Sequence, residues 1–597
     1  MSFPRGEVLG ARPVDDSSTR FCLWAPNASD VSLQLVDRDD VIKLDNHGGG
    51  YFATTANCAP GTRYRFQLDG GDAFADPASR LQPEGVHGPS EVVDLAKYNW
   101  TDSAYRPRPL WDHVIYELHI GTFSPGGTFE SALEQLDALV ELGVTAVELM
   151  PVAQFPGARN WGYDGVFAYA VQNSYGGPNG LQRFVDIAHQ KGLAVFLDVV
   201  YNHLGPEGNV LDKFGPYFND HYRTPWGPAL NFDEAESDDV REYYWQNVRQ
   251  WFEDFHFDGL RLDAVHAIVD TSSIPFLAEL SRRCADLSDE LDRPCELIAE
   301  SAANDPRTVT PLSDDGLGMG AQWNDDFHHS LHVALTGERT SYYCDYDGVP
   351  DLARSMDEGF VLQGTYSAFR RHRHGAPSGA LSPERFVVFS QNHDQVGNRP
   401  RGDRLFSLVS PEQARLAAAL VLLSPDIPLL FMGEEYGETA PFPYFVDHSD
   451  EKLNQSIREG RAREFPELAR EGDLYDPVSP DTFIAARLNF SLREQGEHRD
   501  MWNHYRQLIT LRHSLRALRR SPLRHHARAW AEGNVITLVR THEASAVVAL
   551  FNVSAESAQA QLPSDRRWTN VLESSDDGAT TVELSPWAYS LYRSVDS

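Results

Sequence analysis

Four short stretches place polar residues where the surrounding pattern asks for buried strand. They read Asp198-Val199-Val200-Tyr201-Asn202-His203, Arg261-Leu262-Asp263-Ala264-Val265-His266, Leu297-Ile298-Ala299-Glu300-Ser301 and Ser390-Gln391-Asn392-His393-Asp394-Gln395. Arg261 and Asp263 are two residues apart, so on a strand they share a face. A charge pair flanked by Leu260, Leu262 and Val265 is costly unless paired or used. Alone it would read as a structural ion pair; four such clusters at successive strand ends read as chemistry. Asp263, Glu300 and Asp394 then supply three carboxylates to one pocket. Cleaving a glycosidic bond needs two, one neutral to protonate the leaving oxygen and one ionised to attack or to activate water. Arg261 would hold Asp263 ionised, which suits a nucleophile. Glu300 ends an apolar run whose desolvation would raise its pKa, which suits an acid that later acts as base. Asp394 could bind sugar hydroxyls and favour an oxocarbenium-like state. His203, His266 and His393 would donate to hydroxyls, although each alone is as readily a satisfied structural histidine.

The elements that must position these residues are legible as alternation. From about 110, apolar strands alternate with amphipathic helices, the pattern of a parallel sheet with crossover helices. Eight strands are expected: Val114–Ile120, Ala146–Pro151, Ala194–Val200, Gly259–Val265, Leu297–Glu300, Ala321–Trp323, Phe386–Ser390 and Pro428–Met432. Helices are expected over Phe129–Leu142, with Phe129, Leu133, Leu136, Leu139 and Val140 on one face, over Val240–Phe255 and over Glu412–Leu423. Eight such repeats predict an α/β fold, a (β/α)8 TIM barrel, over residues 109–525. That span exceeds the usual ~250 residues, so insertions are implied at Gly205–Asp238, Thr336–Pro383 and Tyr436–Asp500. Residues 1–108 carry short alternating runs (Thr19–Trp24, Val31–Leu35, Arg63–Leu68) and read as an N-terminal β-sandwich domain, joined through Arg106–Pro109. Residues 526–597 read as a small C-terminal antiparallel β domain.

Length and charge bound the rest. The 597 residues are too many for one core. A formal net charge of -35 argues against nucleic acid or anionic membrane as a partner. Met1–Gly6 lacks an apolar leader, and no apolar run is long enough to span a bilayer. With five cysteines and no Cys-x-x-Cys, a reduced, cytoplasmic setting is expected. Cys284 and Cys295 could pair, but that setting favours free buried thiols.

The four stretches, in this order and spacing, resemble the signature regions of the α-amylase superfamily of retaining glycoside hydrolases, with an N-terminal sandwich as in its branching and debranching members. The resemblance covers nearly the whole chain. It implies Asp263 as nucleophile, Glu300 as acid/base and Asp394 as transition-state stabiliser, with Arg261, His203 and His393 completing the subsite of the attacked glucose. Asp198 and Asn202 fall at supporting positions. Further motifs narrow the likeness: Tyr116–Phe123, Val147-Glu148-Leu149-Met150-Pro151 and Asn160-Trp161-Gly162-Tyr163-Asp164-Gly165, the last close to a stretch shared with branching enzymes; Trp323–His329, with Ser390–Arg399, Gly402-Asp403-Arg404 and Phe431–Glu435, resembles the maltooligosyltrehalose trehalohydrolases. Such enzymes cut the α-1,4 bond next to a terminal trehalose, so the resemblance implies a substrate made by a maltooligosyltrehalose synthase. Tyr163 could stack on a sugar, with Asp164 beside it, or pack in the core. For gripping trehalose the candidates are Asp325, Asp326, Phe327, His328 and His329, with the loop Gln395, Val396, Gly397 and Asn398. Paired Asp and His at 325–329 suggest a metal, but adjacent side chains diverge, and the chemistry needs neither metal nor cofactor. A glucan branching enzyme would share this plan and these carboxylates. A non-catalytic glucan-binding protein would be expected to have lost them.

Overall fold

The computed structural model describes residues 7–595 apart from 39, 225–226, 472–473, 565 and 573–579, so the Met1–Gly6 reading lies outside the described residues. Eight parallel strands close into a barrel in sequence order: β1 Ile115–Leu118, β2 Ala146–Leu149, β3 Ala194–Val199, β4 Gly259–Leu262, β5 Glu296–Ala299, β6 Ala321–Trp323, β7 Phe386–Val388 and β8 Ile427–Phe431. Each expected strand is present, most of them trimmed to the buried run. The interior is built in layers, because alternate residues share a face. Its lower part is apolar, filled by Ile115, Ala146, Phe196, Ile298, Trp323, Phe389 and Leu429. Two residues further along β1, β2, β3 and β5 the filling turns polar, with Glu117, Glu148, Asp198 and Glu300. Register sets Glu117 beside Glu148 and Asp198 beside Arg261. The barrel therefore changes from core to site within one layer.

The helices depart in detail from their expected extents. Phe129–Leu142 is two helices, Phe129–Leu133 and Leu136–Leu142, the first started by a capping box on Thr128. The break rotates the second segment, so Leu136, Leu139 and Leu142 face inward while Val140 is exposed. The other two helices run Ser237–Glu253 and Pro411–Leu423.

Ahead of the barrel stand two antiparallel sheets. One orders Gly10–Pro13, Thr19–Trp24, Tyr51–Ala56 and Asp45–Gly48; the other has Asp40–Lys43, Val31–Leu35, Arg63–Leu68 and Ala73–Phe74 in line, with Ser90–Glu91 also on Arg63–Leu68. Phe21, Leu33, Tyr64 and Phe66 are buried between them. Trp24 packs edge-on to Tyr217 of the insertion after β3, and the Tyr51 hydroxyl donates to Asp239. After the barrel, five antiparallel strands, ordered Ala527–Glu532, Val535–His542, Ser545–Asn552, Tyr589–Ser594 and Trp568–Asn570, form the closing sheet. Fully buried Arg540 fastens it by donating to the carbonyls of Leu423 and Ser424. All five cysteines are free thiols, four of them buried.

Candidate active site

Arg261 is the hub. It is wholly buried at the end of β4, its guanidinium 4.2 Å from the ring centre of Trp323 on β6. Nη1 donates to Asp198 (2.8 Å) and to Asp263 (2.9 Å), and Nη2 lies 3.8 Å from Glu300. Asn202, just past β3, donates to the other Asp263 oxygen at 2.7 Å. One carboxylate is thus gripped by a fixed cation and an amide. Beyond Asp263 the strand cannot continue: Ala264 takes a left-handed conformation, φ 41°, which a side chain adopts at a cost. That turn points the Ala264 N–H at Glu300, which accepts it at 2.6 Å.

The two carboxyl groups that share this cation differ electrostatically. Burial lifts the Glu300 carboxyl to about 8, against the pull of Arg261 and with Asp263 adding to the rise. Glu300 is therefore a proton carrier near neutrality, while Asp263 accepts from Arg261 and Asn202.

A second chain of contacts leaves the hub in the opposite direction. Asp198 accepts from the Tyr163 hydroxyl (2.6 Å), which in turn faces His393 Nε2 (2.7 Å). The other ring nitrogen of His393 faces Glu117 of β1, which also accepts the His393 backbone N–H at 3.0 Å. Burial pulls His393 down, but the carboxylates of Glu117 and Asp394 outweigh it and hold it up at about 9. Charged His393 donates from both nitrogens, so the run Glu117–His393–Tyr163–Asp198–Arg261–Asp263 is polarised along its length. Asp394, in the first turn of the helix His393–Gly397, is the open member, with a side chain 42% exposed and 3.7 Å from His393. His203 faces Asn202 and the Tyr163 carbonyl, bracing both from behind. Tyr163 is thus tied into the network by its hydroxyl. Asp164 accepts from Asn160 at 2.7 Å.

The residues expected to grip a sugar beyond the cleaved bond divide. Asp325 stands at the start of the helix Asp325–Thr336, and burial, with Asp394 adding, lifts its carboxyl to about 7. Gln395 leans on it at 3.4 Å, and exposed Asn398 donates to Asp394. His266 is exposed on the wall of a cavity of about 370 Å³ shared with Ser301, Ala303, Asp305 and Arg307. Asp326 is different and corrects the sequence reading. Its carboxylate is fully occupied by Tyr346, Asn304 and the N–H groups of Val361 and Leu362, so it organises the chain after β6 rather than touching sugar. Phe327 and Val396 are buried in the core, and Gly397 is pressed on Trp161 so closely that a Cβ would sit 2.0 Å from the indole. His328 uses both ring nitrogens on the Ser390 carbonyl and the Tyr343 hydroxyl. His329, bonded to Tyr346, is pushed down to about 3 by burial with Arg370 and His332 adding, and so is neutral. One helical turn sends neighbouring residues to different faces, which is why five consecutive candidates share so few roles.

Glu117 and Glu148 were quoted above only within motifs, yet both belong to the site's floor. Glu148 is 1% exposed, neither of its oxygens has a hydrogen-bond partner among the described residues, and burial, with Glu117 adding, pushes its carboxyl well above the usual range. The signal was a lone acid in the middle of an apolar strand, Tyr116-Glu117-Leu118 and Val147-Glu148-Leu149.

A closed eight-strand barrel with two carboxyl groups set around one buried arginine at its mouth is the architecture of α-amylase-type glycoside hydrolases. Consistent with that class, a family model for the alpha amylase catalytic domain matches residues 97–224, and one for carbohydrate-binding module 48, the isoamylase N-terminal domain, matches residues 8–83. The chain is 49% identical over 500 residues to the malto-oligosyltrehalose trehalohydrolase of Saccharolobus solfataricus, covering 84% of this chain and 86% of that one. A 1,4-alpha-glucan branching enzyme of Bacillus caldolyticus is 33% identical over 72% of this chain and 67% of its own. The crystal structure of a putative alpha amylase from Salmonella typhimurium superposes with a TM-score of 0.90 at 38% identity, covering 98% of this chain and 99% of that one. The chain belongs to the malto-oligosyltrehalose trehalohydrolase family of these hydrolases.

Proposed function

We propose that this enzyme hydrolyses the α-1,4-glucosidic bond next to the terminal trehalose of maltooligosyltrehalose, with retention, releasing trehalose and a maltooligosaccharide. Asp263 attacks the anomeric carbon, and Glu300 protonates the departing oxygen. The covalent glycosyl ester is then opened by water, which Glu300, now ionised, deprotonates. Asp394 binds hydroxyls of the attacked glucose as it flattens, while charged His393, donating to Glu117 and Tyr163, holds the network behind it. The observation that carries this reading is one buried guanidinium shared by two carboxyl groups, Asp263 at 2.9 Å and Glu300 at 3.8 Å, the second lifted to about 8. The enzyme acts in the cytoplasm, after a maltooligosyltrehalose synthase has supplied the capped chain. Among the described residues no helix is long and apolar enough to cross a membrane. Product analysis on maltooligosyltrehalose and on amylose tests the proposal. Free trehalose from the first is expected; new α-1,6 branches from the second would replace it with the branching reaction.

A further inference from the structure

At one level of the barrel interior, four neighbouring strands contribute in order Phe431 of β8, Glu117 of β1, Glu148 of β2 and Phe196 of β3. None of the four is more than 1% exposed. Two acids therefore lie side by side on one face, walled on either side by a phenyl ring. Paired strands stand about 4.8 Å apart, so side chains in register are within reach of each other. Two anions at that spacing, out of water, oppose each other's ionisation.

The two acids are not served alike. Glu117 accepts the His393 backbone N–H at 3.0 Å and faces Nδ1 of its ring. Neither Glu148 oxygen accepts a hydrogen bond from a described residue. The charged and titratable groups around Glu148 are Glu117 from β1, Asp198 from β3, Arg261 from β4 and His393 from the helix after β7. Both cations are engaged elsewhere, Arg261 with Asp198 and Asp263, His393 with Glu117 and Tyr163. Nothing there rewards an anion. As a carboxylic acid the same group carries an O–H of its own, and what it needs is an acceptor.

Glu117 is the acceptor in register. His393 uses two of the roughly four lone-pair sites that a carboxylate offers, which leaves room for an O–H donor. Asp198 Oδ1 also lacks a partner, but Asp198 stands two residues beyond Phe196, roughly 7 Å further along the strand direction.

We infer that Glu148 is a positioning residue for the proposed reaction: as a carboxylic acid it donates a hydrogen bond to Glu117 and holds that side chain against His393. An apolar setting that keeps an acid neutral so that it can donate is sound chemistry. The effect on the reaction runs through Glu117. Its two contacts fix the His393 ring and the first turn of the helix His393–Gly397, and Asp394 lies in that turn. The other ring nitrogen meets the Tyr163 hydroxyl, which donates to Asp198. Without the bond from Glu148, Glu117 is fixed from one side only, and Asp394 and the path to Arg261 both loosen. This rests on the proposed reaction, in which Asp394 acts as the glucose flattens.

The test uses the full-length enzyme with Glu148→Leu and Glu148→Gln, assayed on maltooligosyltrehalose. Leucine fills a similar space without a donor, whereas glutamine restores one from its amide. Glu148→Leu is expected to lose roughly tenfold in kcat with KM within about twofold, the pattern of an interaction felt in the transition state. Glu148→Gln should stay within about threefold of the unaltered enzyme. Infrared difference spectra of the unaltered enzyme against Glu148→Gln, near neutral pH, should show the C=O band of a protonated carboxylic acid, displaced in heavy water. Normal kcat in Glu148→Leu, equal losses in the two variants, or no such band overturns the inference while leaving the reaction intact. Should the leucine variant not fold, the glutamine variant and the band decide: a loss of roughly tenfold in Glu148→Gln, or a missing band, overturns it. Absence of trehalose release by the unaltered enzyme overturns the reaction itself, and the positioning role with it.

Discussion

Two buried charge networks lie at opposite ends of the barrel, and they are built to different rules. At the foot, Asp102 from the connector after the N-terminal sheets accepts from His189 (2.9 Å) and His256 (2.7 Å), and His189 passes its other nitrogen to Asp258 at 3.0 Å. Tyr105 stacks on His189 and Trp100 on His256. Both carboxylates are met by donors, with Asp258 also taking the Val195 N–H at 2.8 Å. At the mouth the same residue types leave groups over. Asp198 Oδ1, Arg261 Nε and Nη2 and both oxygens of Glu148 have no hydrogen-bond partner among the described residues. A network closed on itself fastens chain segments together. One with unused donors and acceptors costs stability, and such costs are retained where the groups act on something else.

The widest separation between the two should come from removing their carboxylates. Asp263→Asn and Glu300→Gln should each lower kcat by about 10³-fold or more while the thermal midpoint stays within a few degrees. Near-normal turnover in either would end the comparison, since the mouth would then be merely structural.

The foot should answer the other way. Asp102→Asn or His189→Gln should cost about 2–4 kcal/mol, because each strands a buried partner, and the folded fraction should keep its kcat. Burial opposes the charge on His189, yet Asp258 and Asp102 raise its pKa above the ordinary 6.5. Its contribution is therefore fully present below 6.5 and lost as pH rises through the raised value. Asp102, lowered because its imidazole bonds outweigh burial, contributes above its ordinary 3.8 and fails as pH falls through the lowered value. The stability gap between wild type and His189→Gln, followed by thermal melts, should narrow from pH 6 to pH 9. A constant gap would show that this histidine is not charged in the fold.

The smallest effect is the most discriminating. Glu117→Gln removes the leading group that holds His393 at about 9, so its proton should be lost at lower pH. The alkaline limb of kcat/KM, set near 8 by Glu300 in the wild type, should move toward neutrality, with a loss of roughly tenfold at pH 8. An unmoved limb would confine Glu117 to a packing role.

The sequence made the barrel plain because parallel strands, buried on both faces, read as unbroken apolar runs, and a polar residue ending such a run is conspicuous. Asp263, Glu300, Arg261 and His393 stand out in that way. What it concealed was rotation. Whether Asp325 or Asp326 faces the cleft depends on how one helix is turned, and that is set by Tyr346, Val361, Leu362 and Asn304, between 20 and 36 residues away. Glu117 and Glu148 were visible as lone acids, but their meeting required the register of β1 with β2. The interruption at Glu134–Gln135 left the expected apolar face half right, since two short helices need not share one stripe.

The contact between Glu117 and His393 also says something about how the chain reaches its working form. It joins residues 276 apart in sequence, across β8, which closes the ring between β7 and β1. Loop-closure entropy opposes such a long-range meeting. The reactive geometry therefore cannot assemble on the first half of the barrel as it emerges during synthesis. Activity is in effect a clock hand for ring closure, and a refolding chain should regain helical signal well before it regains turnover.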